Sequence, residues 1–368
     1  MARNRVIYQS EALYVSEDAG STGVTKHHQL ESIQSANYNF SVTRQDINCF
    51  GKAARTDSIL MDAPTVGLDF SYYLTDGGNE KALGFNISGS NQFASGHMVQ
   101  SSGANLFILT VDEGKDALGA STGDRKSVIG LGNAFVSDYS LELAVGSLPT
   151  VSVSMECSNI NSDTELSGTA AEISGVSLPS VDITDGSIVD RTGVLPAPES
   201  GDTSVTALRP GDITVDISNL SGAALSDLNG PNTDDAIHIQ SASLSIPLSR
   251  TPLQRLGTRF NYARTVDFPV NATLSVNAIC NDVTAKNLAT IIDNDDAKEV
   301  TLTLKDEGGT NTKMLYTLKG CRLDSESFSS SVGSNKSVDL TFSTQVGGVN
   351  DTSNGIFGSG AFTNAVFS

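Results

Sequence analysis

The sequence predicts a mainly β protein: two tandem sandwich- or barrel-forming domains, each with a short helix, arising from an internal duplication, plus an irregular insert. Three observations carry this. Hydrophobic residues make up 38% of the 368, with 34 Gly, no Trp and abundant Ser, Thr, Asn and Asp, a profile of many short strands joined by polar turns. Apolar residues recur with period two, as in Val151, Val153, Met155 and again in Val300, Leu302, Leu304, so each strand has one apolar face. Finally, "SIQSANYNFSVTR" from Ser32 returns as "HIQSASLSIPLSR" from His238, with Tyr38, Phe40 and Val42 lining up with Leu244, Ile246 and Leu248.

The repeat continues in order, as repeats from a duplication should. Gly51 matches Gly257, and a short insertion then sets Ala54-Arg55-Thr56 opposite Ala263-Arg264-Thr265. "APTVGLDFSYYLTD" lies over "NATLSVNAICND", and "NLFILTVDEG" (Asn105 on) over "EVTLTLKDEG" (Glu299 on). "YSLELAVGSLPTVSVSMECS" closes the first copy and "FSSSVGSNKSVDLTFSTQVG" the second. Between third and fourth strand-like blocks, Thr284 is a candidate N-cap for a short helix with Leu288, Ile291 and Ile292 on one face. The counterpart "GGNEKALGFNISGS" supports a helical turn or two at most.

These blocks divide the chain into a first domain, 1–160, a linker or small insert, 161–202, a second domain, 203–348, and a flexible C-terminal arm, 349–368. "RPGDITVDIS" suits the first strand of the second copy, in the role of "EALYVS" near the N-terminus. The tail "GGVNDTSNGIFGSGAFTNAVFS" is Gly/Ser/Asn-rich with spaced Phe and Val, a composition that orders by docking.

The formal charge is −19, from 42 acidic and 23 basic residues. Such a chain repels phosphate, which argues against a nucleic-acid clamp and leaves room for a conduit through which DNA slides. Cys49, Cys157, Cys280 and Cys321 lack CxxC or zinc spacing and are expected as free thiols. "MARNRVIYQSEALYVS" has no uninterrupted apolar core, and no run approaches the ~20 apolar residues of a membrane span. The expectation is therefore a protein used without the standard signal route and without a membrane.

Chemistry is sparse. His27, His28, His97 and His238 show no helical ligand spacing. "GASTGDRKS" (Gly119 on) interrupts the phosphate-loop order with Asp124 and Arg125 and reads as a hairpin loop. "DNDDAKE" (Asp293 on) lacks the calcium-loop order. No elbow singles out a catalytic serine. No catalytic, metal or cofactor site is expected, and no enzyme. The basic residues do concentrate in loops: Arg44, Gly51 and Arg55 mark one, and Arg250, Arg255, Gly257, Arg259 and Arg264 the other. On so acidic a chain, these are candidate ring or stacking loops that dock on another copy.

"VSDYSLELAVGSLPTVSVSMECSNI" resembles the closing hairpin of major tail tube proteins of long-tailed bacteriophages, and "RVIYQSEALYVS" and "LRPGDITVDIS" are similar to segments of phage tail proteins. The resemblance implies sandwich-like domains with a short helix, six to a ring, each giving one sheet to a barrel around an acidic bore. In the variant with two tube domains per chain, three chains make a pseudo-sixfold ring. The implied partners are further copies of the chain, the tape-measure protein, tail terminator and tip proteins, and double-stranded DNA passing without specific binding. The implied place is the virion tail, after assembly in the host cytoplasm. A tail-tip, baseplate or adhesin-type binding protein is the alternative; the 6% aromatic content weighs against carbohydrate recognition.

Overall fold

The computed structural model describes residues 8–16, 27–62, 64–99, 103–111, 114–118, 125–163, 177–181, 188–192, 207–218, 238–256, 261, 263–279, 297–331, 335 and 337–362. The first half runs β1 (Glu11–Ser16), β2 (His27–Gln29), β3 (Ile33–Ser41), β4 (Arg44–Ile47), β5 (Asp57–Leu60), β6 (Thr65–Tyr73), α1 (Gly78–Ala82) and β7 (Ser88–Gln92). It continues with α2 (Ser95–Met98), β8 (Ala104–Val111), β9 (Arg125–Ala144), β10 (Thr150–Cys157) and β11 (Asn159–Asp163). A hairpin of β12 (Ser177–Val181) and β13 (Ile188–Thr192) follows, within the expected insert. The second half comprises β14 (Ile213–Ser218), β15 (His238–Pro247), β16 (Arg250–Leu253), β17 (Ala263–Val266) and β18 (Asn271–Ile279). It ends with β19 (Lys298–Lys305), β20 (Thr312–Ser329), β21 (Ser337–Gln345) and β22 (Gly355–Gly360).

The chain is thus mainly β, and its strand pairing is written twice. In the first half β3, β6, β10 and β9 lie side by side; in the second, β15, β18, β21 and β20 do. Behind them β1–β8–β9–β11 is matched by β14–β19–β20–β22. Registers agree residue by residue. Tyr38 faces Leu68 as Leu244 faces Leu274, and Val153 faces Tyr139 as Leu340 faces Glu326. Irregularities agree too: Gln34 and Gln240 are bulged past at the same point, each amide donating to the carbonyl two residues back. The bulge at Ser137 recurs at Asp324. Bulges conserve their place because they re-aim a strand.

The same economy explains how each half becomes two layers. β9 and β20 run through both sheets and bend where Asn133 (φ 53°) and Gly320 (φ 68°) adopt the left-handed conformation. Asparagine tolerates that region better than most residues, and Asn133 is held by Asn105, Ser158 and the Gly103 amide at 3.0 Å each. At Gly320 a Cβ would lie 2.2 Å from Asn354 Oδ1, so glycine is required twice over.

Alternation places the core. β6 and β18 share one burial pattern, with Val66, Leu68, Phe70 and Tyr72 inward in one, and Ala272, Leu274, Val276 and Ala278 inward in the other. One hydrophobic cluster runs through both halves. β8, apolar from Leu106 to Leu109, is buried on both faces and supports a second, smaller cluster around Tyr14, Phe107 and Leu109.

Two expectations change. The hairpin β4–β5 pairs Arg44 with Leu60 and β16–β17 pairs Arg250 with Val266, so no insertion separates the copies and Arg264 corresponds to Ser58, not Arg55. Similarity of the Ala-Arg-Thr triplets misled the alignment; hairpin register, set by backbone pairing, decides it. Within 349–368, expected as an arm, β22 pairs with β20 and β7 and buries Ile356 and Phe357. Its counterpart β11 lacks the glycine-rich composition, which hid the equivalence. α1 matches the expected turn or two in "GGNEKALGFNISGS"; the Thr284–Ile292 helix, the "DNDDAKE" turn and Cys280 lie outside the described residues. Cys49, Cys157 and Cys321 are free, the last two buried.

Candidate assembly interface

The two halves meet edge to edge. β9 pairs with β15 over Ala144↔Ser241 to Asp138↔Pro247, giving one sheet in the order β3–β6–β10–β9–β15–β18–β21–β20. At this seam Leu141 opposes Leu244 and Tyr139 opposes Ile246, all buried. Beyond the ladder the Leu248 amide donates to the Ser137 carbonyl at 2.8 Å.

Tyr139 also reaches across the layers. Its hydroxyl lies 2.7 Å from that of Tyr316, in the second half, and 3.3 Å from Glu80 Oε1, to which Tyr72 donates at 2.8 Å. Phe85 and Phe93 stack at 4.5 Å beside it. Burial raises the Glu80 carboxyl to about 7, against the tyrosine hydrogen bonds that pull it down. The group is a buried polar lock between halves, and nothing in the sequence marked it: a Glu in a short helical segment reads as solvated.

The second-half hairpin clasps the first half. Arg250 is buried, stacks its guanidinium 4.8 Å above the Phe135 ring, and donates to the carbonyls of Val136, Arg264 and His97. Burial lowers its pKa to about 10, which leaves it charged at neutral pH. Arg264, 4% exposed at its side chain, pairs with Glu156 at 3.0 Å and donates to the Cys157 carbonyl. These two arginines thus bind the first half through backbone carbonyls, one aromatic ring and the Glu156 carboxylate. Replacing Arg250 by Gln strands those carbonyls and should cost about 2–3 kcal/mol in urea unfolding, while Arg44→Gln, at an exposed site, should stay within about 0.5 kcal/mol.

The equivalent first-half elements have no such cover among the described residues. β3 is an edge strand with Tyr38 44% and Phe40 64% exposed, whereas their counterparts Leu244 and Ile246 are 1% and 0% exposed. Arg44 opens β4 in the open, Gly51 (φ 86°) turns the β4–β5 loop, and Arg55 pairs with Asp46 at 3.1 Å inside that hairpin. Ile47, Phe50, Ile59, Leu60 and Met61 are exposed on or beside it. At the other end of the sheet, the last stretch of β20 (322–329) is largely exposed, including Phe328. Arg255 is exposed; Gly257 and Arg259 lie outside the described residues. The sequence motifs named the loops but not these edges, because the same alternation is buried in β15 and bare in β3. Long bare edges are usually blunted or covered.

The polar face of the long sheet carries Ser, Thr and Asn with Asp69, Asp138, Glu142, Glu156 and Asp339. Burial raises the Asp138 carboxyl. Cross-strand hydroxyl pairs tie this face, Ser35 to Ser71 at 2.7 Å and Ser41 to Thr65 at 2.6 Å. Among the described residues, no group of three or more His, Cys, Asp or Glu is placed to hold a metal.

No protein-family model matches the sequence, and no curated protein does. Among solved structures, the chain is similar to the SPP1 tail tube at 12% identity and a TM-score of 0.31, over 54% of this chain and 98% of that one. It is also similar to a chain of the anti-feeding prophage (AFP) baseplate at 8% identity and 0.28, over 44% and 97%. Likeness at that level is slight, and the functional reading rests on the strand pairing.

Proposed function

We propose that the chain is the structural subunit of a phage tail tube: its long sheet joins those of further copies into a closed barrel, and the rings stack into a conduit for DNA. One observation carries the reading. The internal seam joins the β9 edge of one half to the β15 edge of the next, and the long sheet ends with the equivalent edges, the 322–329 stretch of β20 and β3, neither paired further among the described residues. A contact between two different edges that has been made once can be made again, and such head-to-tail contacts give rings when the rotation closes. Closure removes the edges altogether. Six equivalent domains would come from three chains.

In that ring the polar face of the sheet lines the bore. Its carboxylates repel DNA phosphate and let the polymer, and a tape-measure protein, pass without adhering. The β4–β5 loop with Arg44, Gly51 and Arg55, and the β16–β17 loop at Arg255, Gly257 and Arg259, serve ring and stacking contacts, while Arg250 and Arg264 are taken up by the contact between the two halves of one chain. Terminator and tip proteins would cap the tube, in a virion tail assembled in the host cytoplasm; the role is structural rather than catalytic. Domains 1–160 and 203–348, extended to Asp163 and Gly360 by the equivalent strands β11 and β22, are the repeating units. Negative-stain microscopy with mass measurement tests this: stacked rings with a central hole, the smallest holding three chains, are expected. Single rings that never stack would place the chain at a baseplate or tip instead, and a stable monomer at high concentration would overturn the reading.

A further inference from the structure

Resting on the ring reading, the repeat also specifies how two copies meet. We infer that 322–330 of one chain pairs with β3 of the next in the register of the internal seam, and that this chain-to-chain seam is the weaker one because Glu326 takes the place of Tyr139. The correspondence leaves no freedom. β9 and β10 stand 187 positions before β20 and β21, as Val151 stands before Val338, and β3 stands 206 before β15, as Ser35 stands before Ser241. Transferring the internal pairs puts Phe328 opposite Tyr38, Ser327 opposite Asn39 and Glu326 opposite Phe40. The Val42 amide meets the Asp324 carbonyl as Leu248 meets Ser137. A one-residue slip would turn the apolar side chains of β3 to the polar face.

Four substitutions within this frame bring in polar or charged residues, while Leu141 becomes Phe328, and Asp138 and Glu142 become Ser325 and Ser329. Leu143 becomes Ser330, Phe135 becomes Arg322, Ser137 becomes Asp324, and Tyr139 becomes Glu326. Glu326 stands opposite Leu340, which is fully buried, so its carboxylate points to the apolar side of the sheet. In the separate chain it is exposed and solvated; joining a second copy removes that water, which an ionised group resists. Tyr38 and Phe40, larger than Leu244 and Ile246, supply the remaining apolar cover. The internal seam is therefore permanent and the external one reversible, which keeps separate chains in solution until assembly begins.

Cysteine pairing in the full chain, on a Cys49→Ser background, reads the register. Ser327→Cys with Asn39→Cys should link chain to chain under mild oxidation and close covalent rings, whereas Ser140→Cys with Ser245→Cys, the internal equivalents, should link within the chain. Ser325→Cys or Ser329→Cys with Asn39→Cys reports a register slipped by two; rings that link there instead would overturn the register while leaving the ring standing. Absence of rings in the unmodified protein would overturn both. Glu326→Tyr should tighten association at least about tenfold; unchanged or weaker association would show that Glu326 does not weaken the seam.

Discussion

A chain carrying Tyr38→Lys and Phe40→Lys should fold with unchanged cooperativity and remain a monomer, while Ile246→Lys should unfold it. The positions are equivalent in the repeat, and both substitutions put an ammonium on the apolar side of the same sheet. What differs is the cover. At Ile246 the side chain is sealed between β9, β18 and the layer behind, so the lysine must enter the core uncompensated. The cost is about 4 kcal/mol or more, against a total domain stability of about 5–15 kcal/mol. At Tyr38 and Phe40 the lysines reach water in the separate chain, where they act as edge charges do in natural sheets. Only when β20 of a second copy closes over them is the penalty incurred. Sedimentation should show association weakened by well over about tenfold, equivalent to more than about 1.4 kcal/mol, with an unchanged urea midpoint for the monomer. If the double lysine variant still forms rings, β3 is not the joining edge.

How much of this was legible in the sequence follows from which interactions are local. Alternation is a local signal, so Val151, Val153 and Met155 announced a strand with an inward face and the structure agrees. The ordered recurrence of strings such as "IQSA" announced the duplication, and the registers repeat accordingly. Backbone pairing is not local, and the hairpin alignment failed for that reason: Arg55 and Arg264 share neighbours in sequence but not a place in the ladder. Cover is less local still. No pattern distinguishes Leu244 from Tyr38, because each is an apolar residue in the same alternation, and only the sheet order shows which has a strand beside it. Arg250 was singled out as a loop residue; its sequence carries no sign that Phe135, more than a hundred positions earlier, provides the surface on which it stacks.

The second large effect is on the pH dependence of stability, through Glu80. Its folded pKa of about 7 lies above the ordinary carboxylate value of 4.5, chiefly because burial disfavours the charge. A carboxyl with a raised folded pKa binds its proton more tightly when folded. Its contribution is therefore fully present below about 4.5 and is lost as pH rises towards 7, by roughly 3 kcal/mol. Its Oε2 meets no partner among the described residues, a position that a neutral acid tolerates better than a carboxylate. His28 works in the opposite sense. Burial lowers its pKa from 6.5 to about 4, partly countered by Asp76, so the folded chain resists the proton that the unfolded chain takes up, and stability rises with pH between those values. The two slopes overlap between about 4.5 and 6.5 and oppose each other there. Glu80→Gln removes one slope. Its stability relative to the natural chain should rise by roughly 3 kcal/mol between pH 4.5 and 7. His28→Gln should do the reverse, exposing the falling limb. Urea unfolding at a series of pH values reads both. A Glu80→Gln difference that stays constant across the range would mean that Glu80 titrates as an ordinary carboxylate, and that the Tyr72–Tyr139–Tyr316 cluster holds it ionised inside the seam.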